Sequence, residues 1–347
     1  MTSQIYLKAF HLFNILTTII DLSNEEEICM IRTNYDFITS DGTSINTFKW
    51  EKEHQSPKAI VQIAHGMAEH ILRYDHFATF LTENNYIVFG NDHRGHGGNI
   101  IAPDDKGYFA DENGFHRVTS DMHELTQKIK QDYPNVPIIL FGHSMGSFLS
   151  RRYIQLYGNE IDGVILCGTG GDQGVIGKIG EIIAKFEKHR IGRRTPSKLM
   201  DKLIFGNYNK HYNNPQTSFD FLSRDETEVN KYIEDENCGF ICTSGFFTDL
   251  LHGINTIHKR KEIEKTPKDL PIYFIAGDAD PVGNHGKGVK KTYEYYKSIG
   301  CTDVKLTLYN GARHELINET HKDDVYDDVL TWLEHTVSQH TKQEAHV

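Results

Sequence analysis

Short apolar runs recur along most of this chain, and between them lie longer stretches with helical spacing. Residues 31–38 and 45–50 read as two strands joined by Ser40-Asp41-Gly42-Thr43, a small, polar, glycine-bearing hairpin turn. Further strands are predicted at 59–64, 86–89, 138–141, 163–167, 271–276 and 304–309. Helices are predicted at 74–84, 118–133, 148–157, 288–299 and 323–337. The first of these places Phe77, Phe80 and Leu81 on one face; the last places Tyr326, Val329, Leu330 and Leu333 at helical spacing. A hairpin followed by strands alternating with helices predicts an α/β fold: an eight-stranded, mostly parallel sheet covered by helices on both faces. In such sheets the site lies at the carboxyl ends of the strands.

One segment breaks the alternation. About a hundred residues separate the sixth and seventh strands, with helix-like pieces but no obvious buried strand. The first piece, 175–188, puts Ile176, Ile179, Ile183 and Phe186 on one face and Lys178, Glu181, Lys185 and Glu187 elsewhere. The end of the segment is rich in phenylalanine: Phe219, Phe221, Phe240, Phe246 and Phe247. An insertion at the strand ends is positioned to cover the site, so residues 171–255 read as a helical cap and 30–170 with 256–340 as the core. Packing on the body is the expected role of its apolar stripe, with a substrate-facing or membrane-facing role for part of it as the alternative. Residues 1–29 read as an extension outside the fold. Its apolar stretch, 5–22, is short for a membrane span and is interrupted by Lys8 and His11. No small-residue cleavage site precedes the acidic run Asn24-Glu25-Glu26-Glu27. Cytoplasmic location follows as the default expectation, with transient membrane-surface contact through the cap or the N-terminal segment as an addition to it.

Composition narrows the partners. The chain has 347 residues and a formal net charge of -11, without a basic run to neutralise phosphates, so a nucleic-acid partner is not expected. The 5 cysteines are scattered and odd in number, which gives no disulfide framework. Cys238 and Cys242 are spaced for one helix face, and read as small structural residues rather than a metal pair.

The candidate chemistry centres on Gly142-His143-Ser144-Met145-Gly146, set between a predicted strand and a predicted helix. That context suits a sharp strand-to-helix turn with Ser144 at its tip and glycine on both sides, where a side chain would collide with backbone. The amide of Met145 then sits at a helix N-terminus, where it can stabilise developing negative charge. A serine hydroxyl needs a base, and the base needs an orienting acid. After the seventh strand, Asp278 and Asp280 compete; Asp280 lies further into the loop and can reach across. After the eighth strand stands His314, the only histidine of its loop, with His285 a weaker candidate. The loop His65-Gly66-Met67-Ala68-Glu69-His70 follows the third strand; Gly66 lets its backbone turn in, and the Met67 amide would complete an oxyanion hole with Met145. His65 reads as a hydrogen-bonding support of that loop and His143 as a support of the turn. His65 and His70 have no carboxylate or cysteine at ligand spacing, so no metal is expected. Asp92 and Arg94 read as structural hydrogen-bonding or ion-pairing groups at the rim.

These motifs, in this order, resemble the monoacylglycerol lipase and lysophospholipase group of α/β-hydrolases. The matching pieces are His65-Gly66-Met67-Ala68-Glu69-His70 with Arg73-Tyr74, then Asp92-His93-Arg94-Gly95-His96-Gly97, then Gly142-His143-Ser144-Met145-Gly146-Ser147. Gly277-Asp278-Ala279-Asp280-Pro281-Val282 and Arg313-His314-Glu315 follow, and residues 223–240 resemble that group's cap. The resemblance covers roughly residues 34–333. It implies Ser144 as nucleophile, Asp280 as acid and His314 as base, and cofactor-free hydrolysis of esters of single-chain acyl lipids. Gly98-Asn99 departs from the pattern, which often has serine there. An amide or peptide hydrolase with the same three residues is the alternative. A non-catalytic binding protein is a third reading, against which stands the presence of all three. Dehalogenase and epoxide hydrolase chemistry would need an aspartate where Ser144 stands.

Overall fold

The computed structural model describes residues 30–53 and 56–344, and side chains only as far as residue 339. The reading of residues 1–29 therefore lies outside the described residues. Eight strands form one sheet: β1 (Met30–Ile38), β2 (Ser44–Lys52), β3 (Ala59–Ala64), β4 (Tyr86–Asn91), β5 (Ile138–His143), β6 (Gly163–Cys167), β7 (Ile272–Gly277) and β8 (Val304–Tyr309). Their order is β1-β2-β4-β3-β5-β6-β7-β8. The β1–β2 hairpin and the β2–β4 pair are antiparallel; the rest of the sheet is parallel. The central strands β3, β4, β5, β6 and β7 are buried along their whole length, as expected of strands covered on both faces.

Ten helices accompany the sheet among the described residues: α1 (Asp75–Glu83), α2 (Gly114–Asp132), α3 (Met145–Tyr157), α4 (Gly174–Ile191), α5 (Lys198–Phe205), α6 (Glu226–Glu234), α7 (Ser244–Ile257), α8 (Arg260–Ile263), α9 (Lys287–Ser298) and α10 (Lys322–Glu344). Alternation along β5 assigns the two faces. Ile138 and Leu140 join Val118, Met122, Leu125, Leu149 and Tyr153 under α2 and α3. Ile139 and Phe141 join Phe77, Leu81, Val325, Val329 and Leu333 under α1 and α10. Every strand-to-loop exit that bears a candidate residue opens at the same edge, the carboxyl ends of β3, β5, β7 and β8.

Helices α4, α5, α6 and α7 fill the stretch between β6 and β7. Ala184, Met200, Phe246, Phe247 and Leu250 from this stretch share one apolar cluster with Leu140 and Phe274 of the sheet. The segment therefore extends the core. Two expectations for it are corrected. Of the large residues in the α4 stripe only Ile183 packs on the body; Ile176 is 76% exposed and Phe186 67%. The buried side of α4 carries Gly177 and Ala184 instead, because α4 lies close on α7 and close approach selects small residues. There the Thr248 hydroxyl donates to the Ala184 carbonyl (3.2 Å), and the Asn255 side-chain amide donates to the Gly177 carbonyl (3.2 Å) and to Glu181 (2.7 Å). Cys238 and Cys242 do not share a helix face either. Both precede α7, in a turn and an extended piece, since Gly239 at φ 64° breaks the path between them.

Candidate active site

Strand β5 runs directly into α3, and Ser144 is the one residue between them, at φ 52° and ψ -117°. An L-residue rarely adopts that conformation, so the surroundings must hold it. A Cβ on Gly142 would lie 2.5 Å from the Gly146 carbonyl oxygen, and one on Gly146 would lie 2.0 Å from the Ala64 carbonyl oxygen. Only glycine fits on either side of the turn. The Ser144 amide donates to the Cys167 carbonyl (2.9 Å), which ties the turn to the end of β6.

The distant candidates meet here. Ser144 Oγ lies 2.8 Å from His314 Nε2, and His314 Nδ1 lies 3.0 Å from Asp280 Oδ2. Asp280 is fully buried, and its Oδ1 accepts from the Val282 amide (2.8 Å). Asp278 accepts from the Gly311 amide (2.6 Å) and closes a turn. His285 stays outside this chain of contacts; its amide donates to the Asp280 carbonyl (2.8 Å) and its ring packs on His211. Burial alone would lower the basicity of His314. The charge of Asp280 and its hydrogen bond outweigh burial and raise His314 above the ordinary histidine value. A hydroxyl bonded to an imidazole, itself held by a buried carboxylate, is the arrangement that base-assisted nucleophilic attack requires.

The loop after β3 presses against the same serine. A Cβ on Gly66 would meet Ser144 Cβ at 3.3 Å and Glu69 Oε1 at 2.5 Å. The Met67 amide follows that contact directly, and Met145 opens α3, where the first backbone N–H groups have no intrahelical acceptor. His65 Nδ1 donates to the Gly66 carbonyl (2.7 Å) and Nε2 accepts from the His93 amide (2.8 Å), so its ring is neutral with the proton on Nδ1. Asp92 accepts from the amides of Ile71 (2.9 Å) and Gly98 (2.8 Å), whereas Arg94 pairs with Asp121 (2.7 Å). At the departure Gly98-Asn99, the Asn99 carboxamide oxygen accepts from the Asn46 amide (2.8 Å) and so joins the rim to β2.

Three charged residues carry more of the site than their sequence reading assigned. Glu69 Oε1 accepts from the Gly66 amide (2.5 Å) and the Tyr74 hydroxyl (2.9 Å), and lies 3.2 Å from His143 Nδ1. Arg73 bonds Glu69 (2.7 Å) and forks onto Glu315 (2.6 and 2.7 Å). Despite deep burial, which favours protonation, hydrogen bonding to His143 and the charge of Arg73 hold Glu69 well below the usual carboxylate range; Arg73 likewise overcomes burial at Glu315. The i,i+4 spacing of Glu69 and Arg73 was a visible signal; the pairing with Glu315, 242 residues away, was not.

The inserted segment touches these same loops. The Tyr232 hydroxyl and the Gly239 amide both donate to the Ala68 carbonyl (2.9 Å each). The amides of His314 and Glu315 donate to the carbonyls of Phe221 (3.1 Å) and Leu222 (2.7 Å). Ser144 lines a cavity of about 780 Å³, whose apolar lining includes Met67, Met145, Phe148, Leu250, Ile176 and Leu203.

The sheet, its order and the strand-end site define an α/β-hydrolase. The chain belongs to the serine aminopeptidase S33 family, whose model matches residues 55–321. It is 26% identical to a monoglyceride lipase of Rattus norvegicus over 305 residues, 87% of this chain and 90% of that one. It is 29% identical to a monoglyceride lipase homolog of monkeypox virus over 311 residues, 88% and 97% of the two chains. A highly thermostable carboxyl esterase from Bacillus coagulans, solved with glycerol, superposes with a TM-score of 0.82 at 27% identity, over 88% of this chain and 99% of that one. With these relatives the chain is an ester hydrolase.

A cluster of neutral histidines beneath the loop makes stability depend on pH. The rings of His65, His93 and His96 pack together, with centroids 4.2 and 5.4 Å from His65. Burial, then neighbouring histidine charge, holds His65 well below and His93 down at about 3; burial holds His96 at about 4. Burial and then Arg151 hold His258 at about 3. The unfolded chain protonates all four below about pH 6.5, whereas the fold excludes those protons until far lower pH. His314 moves oppositely: its contribution is full below about pH 6.5 and is lost as pH rises through its raised value, so it leaves the acid side unchanged. The contribution of these four is therefore present above pH 6.5 and falls on acidification, with a slope approaching about 5 kcal/mol per pH unit near pH 5.5. Urea unfolding at about pH 7.5 and 5.5 measures it; equal midpoints would contradict the neutral cluster.

Proposed function

We propose that this chain hydrolyses carboxylic esters of single-chain acyl lipids, of the monoacylglycerol or lysophospholipid kind, through Ser144, His314 and Asp280. The observation that carries the reading is the run of contacts from Asp280 through His314 to Ser144, 3.0 and 2.8 Å, at the floor of a cavity of about 780 Å³ with apolar walls. His314 takes the Ser144 proton as the hydroxyl attacks the ester carbonyl. The Met67 and Met145 amides hold the oxyanion, and Asp280 keeps the imidazole in the right tautomer and stabilises its charged form. The alcohol leaves with the proton from His314, and water then releases the acid from the serine. Residues 171–255 act as the cap that shapes the acyl pocket. The names of the relatives support this substrate class, and the family's aminopeptidase label supports an amide reading. Of the three carboxylates that line the cavity, Glu69 and Glu315 are bound to Arg73, and Asp201 on α5 is the third.

No helix among the described residues is long and apolar enough to cross a membrane. The exposed side chains of Val175, Ile176, Ile179, Ile182 and Phe186 on α4, with Leu199 and Leu203 on α5, support transient seating of this face on a lipid surface.

Three outcomes are expected. Ser144→Ala keeps its fold and loses roughly a millionfold in turnover of monoacylglycerols; parental rates, or matched amides cleaved faster than esters, would refute the assignment. Because the base must be unprotonated and His314 is raised, kcat/KM falls on acidification with a midpoint above 6.5; a midpoint below that value contradicts His314 as the base. Ile176→Ser with Phe186→Ser reduces sedimentation with phosphatidylcholine vesicles severalfold while hydrolysis of a short, water-soluble ester is retained; unchanged sedimentation argues for another docking face.

A further inference from the structure

Sequence spacing argued against metal at His70 because no cysteine or carboxylate stands at ligand spacing from it along the chain. The fold supplies both from a distance. His70 closes the loop that begins at His65, and its Nε2 lies 2.8 Å from Asp235 Oδ2, 165 residues away. The Cys238 sulfur completes the group: the three donor atoms lie within 4.8 Å of one another.

We propose that His70, Asp235 and Cys238 form a binding site for a borderline-soft divalent cation, zinc above all, that joins the inserted segment to the loop beside Ser144. Imidazole, carboxylate and thiolate together suit zinc, and sulfur disfavours calcium and magnesium. Nitrogen, oxygen and sulfur donors sharing a tetrahedral zinc stand roughly 3.3–3.6 Å apart, so the separations in this set need to change by about 1.5 Å or less. Two of the ligands are already arranged by one turn. The Asn237 amide donates to Asp235 Oδ1 (2.8 Å) and the Cys238 amide to the Asp235 carbonyl (2.9 Å). Asp235 thereby keeps Oδ2 toward His70 and Cys238. His70 and Asp235 are partly exposed, which leaves an entry path and room for a water as fourth ligand, while Cys238 is buried. Arg73, whose charge acts on Asp235 and Cys238, is paired with Glu69 and Glu315 at 2.7 and 2.6 Å. Binding is an exchange: the proton shared by His70 Nε2 and Asp235 moves to Nδ1 of the same imidazole, which frees Nε2 for the metal, and the Cys238 thiol loses its proton as the metal–sulfur bond forms. One proton is released per ion. The bound ion replaces the His70–Asp235 hydrogen bond as a tie between the two segments, beside the two hydrogen bonds that Tyr232 and Gly239 make to Ala68.

Cobalt(II) is the probe. The full chain, stripped with chelator, is titrated with Co²⁺ and then with Zn²⁺. Expected are one ion per chain, a sulfur-to-cobalt charge-transfer band in the near ultraviolet that zinc displaces, and a zinc-dependent rise in the unfolding temperature. Cys238→Ser loses the band, and Asp235→Asn binds about a hundredfold or more weakly. Absence of the band in the parent chain, or its persistence in Cys238→Ser, overturns the site. If Cys238→Ser does not fold, Asp235→Asn and His70→Gln decide on the same titration: cobalt affinity unchanged in both overturns it. None of these readouts depends on the catalytic assignment.

Discussion

A guanidinium buried between two carboxylates holds this site together. Arg73 lies between Glu69 and Glu315, and its plane covers the Tyr232 ring with the guanidinium carbon 4.8 Å from the ring centre. Through Glu69 it reaches the Gly66 amide and His143; through Glu315 it reaches the residue next to His314. The loops after β3, β5 and β8 and the inserted segment all meet at this one charge. Breaking a buried pair costs about 3–5 kcal/mol because an uncompensated charge remains. The arrangement also leaves one more carboxylate than guanidinium. Glu315 and Glu69 add to Asp280 in raising the basicity of His314. The group that positions the loops therefore also tunes the imidazole between them.

That double use explains what was legible in the sequence and what was not. Strands β3 and β6 coincide with the predicted runs because a buried parallel strand must be a continuous apolar stretch; β8 also coincides, as a half-exposed edge strand in which Lys305 and Thr307 alternate with apolar residues. Ser144, Asp280 and His314 were legible because each follows a particular strand, and strand order fixes which loop faces which. Helix α2 begins at Gly114 rather than Val118, since a glycine and a left-handed Asn113 at φ 49° gave no helical signal. Helix α3 begins at Met145 rather than Phe148, because the helix starts on the turn itself. The Arg73–Glu315 pair carried no local signal, and neither did the approach of Asp235 and Cys238 to His70. Such pairings exist only after long-range folding.

Helix α4 shows where periodicity misleads. Its pattern identifies a helix and an apolar side correctly, but the inference that the apolar side is the buried one fails. Burial goes to the side that can approach α7 most closely, which is the side with Gly177 and Ala184. Isoleucines and a phenylalanine are left facing outward, with Ile176 and Ile179 also at the cavity wall.

The inserted segment thus has two unlike halves. Residues around Phe221, Leu222, Tyr232 and Gly239 are hydrogen-bonded to the backbone of His314, Glu315 and Ala68. Displacing that half would strip hydrogen bonds from the loops that carry the site, so a wholesale hinged lid is a poor description of it. The other half, α4 and α5, contributes apolar side chains both to the surface and to the cavity wall. On the proposed reading, this continuity matters energetically. Each methylene of an acyl chain exposed to water costs about 0.8 kcal/mol. A chain of a dozen carbons passing through water would then face a barrier of roughly 10 kcal/mol. A path along Ile176, Ile179 and Leu203 into the cavity keeps most of those methylenes on apolar surface, so entry past α4 and α5 requires far less of the fold than opening the half that is bonded to His314.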